Sequence, residues 1–127
     1  DWVRFLGFRN QSELPSIYAM SDVFALPSRD EPWGLAVNEA MACGTAVIST
    51  DQCGCSAALV DDVVGRSVPA DDCDALVAAL SDVLANAGVS EAMGRAAQDR
   101  IATWSYAEDI AGLKAALTAV GAMPPPA

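Results

Sequence analysis

Apolar residues fall along this chain in short continuous runs that alternate with stretches of helical spacing, a rhythm that predicts strands and helices in turn. Val3-Arg4-Phe5-Leu6 is a β-prone run closed by Gly7. From Gln11 to Met20, Leu14, Ile17 and Tyr18 recur at helical spacing, with Ser12 placed as N-cap and Pro15 in the first turn. Asp22 to Leu26 is an apolar run stopped by Pro27-Ser28, the pattern of a strand buried on both faces. A loop from Ser28 to Trp33 leads through Gly34 into a predicted helix from Leu35 to Cys43, with Gly44 as its C′ residue.

The second half repeats the rhythm. Ala46 to Thr50 reads as another buried strand, followed by a Gly/Cys loop and a helical turn near Ala57–Val60. Arg66 to Val68 reads as a last short strand ended by Pro69. Three helices are predicted beyond it, over Cys73–Ala87, Ser90–Ala102 and Tyr106–Val120, and the tail from Met123 to Ala127 reads as a frayed end. Residues 1–122 are thus expected to form one α/β domain, an incomplete Rossmann-like parallel sheet with flanking helices, and 123–127 a Pro-rich tail. In such sheets ligands bind outside the carboxyl ends of the strands, which singles out the loops Ser28–Trp33 and Asp51–Ser56.

Composition narrows the chemistry. The 127 residues are 53% hydrophobic and 19% charged, which is globular, and no apolar run reaches the ~18 residues that would span a bilayer. The net charge of −10, with Lys114 the one lysine and the six arginines scattered, argues against nucleic-acid binding. No histidine is present, so Ser-His-Asp and Cys-His mechanisms and the commonest metal ligand are excluded together. Cys43, Cys53, Cys55 and Cys73 match neither a redox nor a zinc spacing. They read as reduced, mostly buried thiols of a cytoplasmic protein.

The stretch from Pro27 to Gly44 holds the candidate chemistry. Glu31 and Glu39 have seven residues between them, one in the crevice loop and one inside the following helix. Ser28-Arg-Asp-Glu31 matches a capping box, but Pro32 disfavours helical geometry at Glu31, which leaves that side chain free in the loop. Glu39 is flanked by Leu35, Ala36, Val37, Ala40, Met41 and Ala42, and a carboxylate in so apolar a helix needs a partner. Hydroxyls of a ribose would supply one. Gly34 and Leu35 open the helix, where unpaired amides form an anion site and a glycine lets a ligand approach the backbone.

These residues resemble the E-x7-E signature of retaining glycosyltransferases of the GT-B fold, family 4 (group 1) in particular. Val3 to Gly7 resembles the family's "V-x-F-x-G", Leu14 to Asp22 its "L-x-x-x-Y-x-x-x-D", and Val23 to Ser28 its strand ending in Pro-Ser. Glu39-Ala-Met-Ala-Cys-Gly44 with Ala46-Val-Ile is similar to "E-A-M-A-x-G-x-P-V-I". The resemblance implies the carboxy-terminal, donor-binding part of an enzyme that moves a hexose from a nucleotide-sugar to a glycan or lipid-linked acceptor, as in polysaccharide biosynthesis. It implies that Glu31 touches sugar hydroxyls in the catalytic step and that Glu39 takes the ribose. Trp33, Gly34 and Leu35 would face the diphosphate and sugar, with no cofactor and no metal. Two departures stand out. The family's Arg or Lys pair lies upstream of this motif, while Arg4 and Arg9 sit on another element, and an acidic residue frequent in the family is here Ala58.

In the strand order 3-2-1-4-5-6 usual for such domains, this chain would supply strands 3, 4, 5 and 6. The acceptor-binding amino-terminal domain, and any peripheral membrane association of the parent enzyme, would lie outside it. The chain by itself is therefore expected to be inactive. Alternatives are an epimerase or phosphorylase of the same fold, neither well served by a chain with no histidine and one late lysine, and a degenerate α/β remnant or interaction module without substrate.

Overall fold

The computed structural model describes residues 2–122. Nine elements follow one another: α1 (Leu14–Ala19), β1 (Val23–Leu26), α2 (Leu35–Ala42), β2 (Ala46–Thr50), α3 (Ser56–Leu59), β3 (Gly65–Val68), α4 (Cys73–Val83), α5 (Ala87–Ile101) and α6 (Tyr106–Ala119). The three strands form one parallel sheet in the order β1-β2-β3, with Val23 opposite Ala46 and Val47 opposite Gly65. This is the α/β sheet with flanking helices that the alternation predicts.

Side chains alternate across the central strand, so both of its faces are closed by helices. Val47 joins Val37, Ala40 and Met41 of α2, Leu59 of α3 and Tyr18 of α1 in one cluster. Ala46 and Ile48 join Ala79 and Val83 of α4, Met93 of α5 and Val68 in the other. Every residue of β2 is buried, and each large apolar side chain held there contributes roughly 1.5–3 kcal/mol.

Several expectations need correction. Residues 3–6 form no strand: Trp2, Val3, Phe5 and Phe8 are exposed, and no neighbour offers their backbone a ladder. The strand β1 is half-buried, not buried on both faces, because it lies at the sheet edge with Ala25 exposed. Helix α1 starts at Leu14 after Glu13, and Ser12 is no cap: its amide and hydroxyl both donate to Asn10 Oδ1, at 3.0 and 2.6 Å. Pro15 does fall in the first turn.

The break after α4 comes early. Asn86 caps α5 by accepting the Val89 amide at 3.2 Å, which places Ala87 and Gly88 inside the helix. Of the four thiols, Cys53 and Cys55 are buried and Cys43 is half-buried, but Cys73 is exposed. The tail from Met123 to Ala127 lies outside the described residues. Among the described residues no single helix is long and apolar enough to cross a membrane; α4 and α5 meet the length only across a 98° bend.

Candidate functional site

The two loops at the carboxyl ends of β1 and β2 are stitched together. Glu31 pairs with Cys53 in an isolated parallel bridge: the Glu31 amide donates to the Gln52 carbonyl at 3.2 Å, and the Gly54 amide to the Glu31 carbonyl at 2.9 Å. The Cys55 amide then donates to the Trp33 carbonyl at 2.8 Å. Gly54 permits this approach, since a Cβ there would stand 2.1 Å from the Pro32 carbonyl oxygen. The loops singled out from sequence are therefore joined in one lip at the sheet's carboxyl edge.

Gly34 turns this lip into α2. Its φ of 95° is left-handed, and an added Cβ would lie 2.5 Å from Cys53 Sγ. The two thiols sit beneath the turn, 3.5 Å apart, and the Cys53 thiol donates to the Trp33 carbonyl at 3.3 Å. Burial, then the neighbouring Cys53, push the Cys55 thiol up to about 12, so it stays protonated.

Glu31 is not free in the loop as the Pro32 argument predicts. It is half-buried, and its Oε1 accepts the Trp33 amide at 3.3 Å. No capping bond from the Ser28 amide forms; the Ser28 carbonyl instead accepts the Thr50 hydroxyl at 2.5 Å. Of the amides expected to face a ligand, that of Trp33 is thus already engaged. Those of Gly34 and Leu35 have no protein acceptor among the described residues, with Leu35 exposed and Gly34 buried. The Trp33 indole donates to Asn38 Oδ1 at 3.2 Å and packs on Trp104 at 5.7 Å.

Glu39 also departs from expectation. The apolar neighbours predict burial, yet α2 buries only Val37, Ala40 and Met41, and Glu39 stands on its exposed face. The small sheet covers one side of the helix only. Its partner is the Tyr18 hydroxyl, which donates to Oε2 at 3.0 Å. Glu39 stands between two clefts. One, of about 360 Å³, is lined by Gln11, Leu14, Pro15, Tyr18, Ala42 and Cys43. The other, of about 490 Å³, lies against α5 and includes Gln98, Ile101 and Trp104. Burial and the Glu39 charge raise the Cys43 thiol.

Periodicity placed Tyr18 only at helical spacing with Leu14 and Ile17, because its partner lies 21 residues away and leaves no local signal. Arg29 was missed for the same reason. It lies in the crevice loop and pairs with Asp71, Nε to Oδ1 at 2.5 Å, although the two are 42 residues apart. Among the described residues no group of three or more Cys, Asp or Glu is placed to hold a metal.

Residues 1–100 match the family model described as glycosyl transferases group 1. A D-inositol 3-phosphate glycosyltransferase of Mycolicibacterium gilvum is 36% identical over 111 residues, covering 87% of this chain and 25% of that protein. A namesake from Mycobacterium ulcerans is 38% identical over 106 residues, covering 82% and 23%. This chain thus spans about a quarter of the length of the curated relatives it matches. Among solved structures, sucrose-phosphate synthase from Thermosynechococcus elongatus superposes with a TM-score of 0.80 at 30% identity, covering 93% of this chain and 31% of that one. A glycosyltransferase from Rickettsia africae gives 0.67 at 20% identity, covering 76% and 26%, a likeness of fold.

Proposed function

Because the chain belongs to the glycosyl transferases group 1 family and has the fold of the carboxy-terminal part of a GT-B glycosyltransferase, we propose that its crevice holds a nucleotide-sugar donor. The observation that carries this reading is the joined lip of the Glu31 and Cys53 loops, which opens directly into α2 with Glu39 on its accessible side. Glu39 accepts the ribose hydroxyls. The amides of Gly34 and Leu35 face the diphosphate and sugar, where a helix amino terminus favours negative charge. Glu31, beside the Trp33 amide, contacts hydroxyls of the transferred hexose.

In a retaining transfer the bond from anomeric carbon to diphosphate breaks through an oxocarbenium-like state, so stabilising the departing anion lowers the barrier. Amides of α2 supply part of that stabilisation without a metal or cofactor. The acceptor, a glycan or lipid-linked sugar, is met by other parts of a longer cytoplasmic enzyme. This chain binds donor nucleotide and does not transfer sugar by itself.

Calorimetric titration of the chain with UDP, GDP and ADP tests the reading. One nucleotide should bind, and Glu39→Gln should weaken it about tenfold or more, as expected for losing hydrogen bonds to a charged group. Absence of binding by all three, or equal binding by the variant, would remove the ribose assignment. Turnover of a nucleotide-sugar by the chain, abolished by Glu39→Ala, would show that it is active alone.

A further inference from the structure

Glu39 is an exposed side chain on α2, yet it is held by a buried one. Tyr18 reaches it from α1, with hydroxyl to Oε2 at 3.0 Å. Tyr18 cannot easily follow a wandering carboxylate. Its ring packs edge-on against Phe24 of β1, with centroids 5.4 Å apart and planes at 88°. Its carbonyl accepts the Thr45 hydroxyl at 2.8 Å and the Ser21 amide at 2.9 Å. Side chain and main chain are thus anchored to β1 and to the start of β2, and Glu39 has no other side-chain partner among the described residues.

The direction of that bond matters because Glu39 borders two clefts. Oε2 of the carboxylate is tied to Tyr18, which lines the cleft between α1 and α2 and not the one against α5. Glu39 keeps Oε1 and the remaining lone pairs for a ligand, since a carboxylate accepts several hydrogen bonds at once. A free glutamate would lose rotamer freedom on binding; one already held loses less.

The geometry points to Tyr18 as a positioning residue that orders Glu39 before the donor arrives and commits the nucleoside to the cleft lined by Gln11, Leu14, Pro15 and Tyr18. This rests on the reading of Glu39 as the ribose acceptor. Tyr18 touches the carboxylate and need not touch the sugar.

The test compares the tightest binder among UDP, GDP and ADP with its 2′,3′-dideoxy counterpart, using the whole chain and its Tyr18→Phe and Glu39→Gln variants. Wild type should prefer the ribose form. In Tyr18→Phe that preference should fall about three- to tenfold, the effect of one hydrogen bond, while affinity for the dideoxy form stays the same. A merely structural tyrosine would weaken both forms alike. If wild type shows no preference, the ribose reading fails and this inference fails with it. If wild type discriminates and Tyr18→Phe discriminates equally, Glu39 keeps its role and the positioning by Tyr18 is overturned. A second measurement needs no variant: the Tyr18 ring-carbon NMR signal of wild type should move further with the ribonucleotide than with the dideoxy form. An unmoved signal would also overturn the inference.

Discussion

Tyr18 carries a phenol whose ionisation the fold resists. Burial first, then its hydrogen bond to Glu39 and the charge of that carboxylate, push it from the ordinary 10.0 up to about 12. The folded chain therefore binds more protons than the unfolded chain between these values, so the Tyr18 contribution to stability is complete below pH 10 and is lost as pH rises toward 12. Urea melts across that interval should show the decline, and Tyr18→Phe should lessen it, leaving the part that the buried Cys55 thiol contributes. At Gly34 a side chain meets both a left-handed φ of 95° and Cys53 Sγ at 2.5 Å. Gly34→Ala should destabilise by on the order of 2–3 kcal/mol, read from denaturant midpoints. The thiols differ as sharply. At neutral pH, alkylation followed by mass spectrometry should label exposed Cys73 first and buried Cys53 and Cys55 only on unfolding.

Among the elements, β2 is the one whose neighbours all depend on it, with helices on both faces and a strand at each edge. Ile48 is almost fully buried, and Ile48→Ala should cost about 2–5 kcal/mol, measured by thermal or denaturant unfolding. Helix α6 stands at the other extreme. It has no buried residue and is begun by a capping box in which the Ser105 hydroxyl accepts the Ala107 amide while Glu108 accepts the Ser105 amide at 3.0 Å. Ser105→Ala should fray α6, seen as lost helicity by circular dichroism, without moving the unfolding midpoint of the core. Sequence reading found α2, β2 and α6 nearly residue for residue, because a continuous apolar run, a C′ glycine and a helical period are local signals. It misplaced the α4–α5 break because Asn86, acting as a cap, outweighs the apolar period that continues through Ala87.

Over the whole molecule, burial is concentrated between α1 and α5, while residues 2–10 and α6 are exposed at either end. A chain truncated after Ser105 should keep its sheet and lose less than about 1 kcal/mol, since the surface α6 covers is small; a fall of several degrees in midpoint would show that α6 supports the core. The alternation of strands and helices, the crevice loops, the Gly34-headed helix and the spacing of Glu31 and Glu39 were all determined by the sequence alone, because each depends on residues close together in the chain. What only tertiary structure decided is how those groups are held. Glu31 is bound to the Trp33 amide and bridged to Cys53, Glu39 is exposed and tied to Tyr18, and Arg29 is paired with Asp71. The last three of these contacts join residues 21 to 42 positions apart, brought together by the parallel crossovers between strands. The edge position of β1 and the unpaired run 3–6 follow from the same cause: whether a strand is buried or formed depends on the neighbours the sheet provides, and no local pattern encodes them.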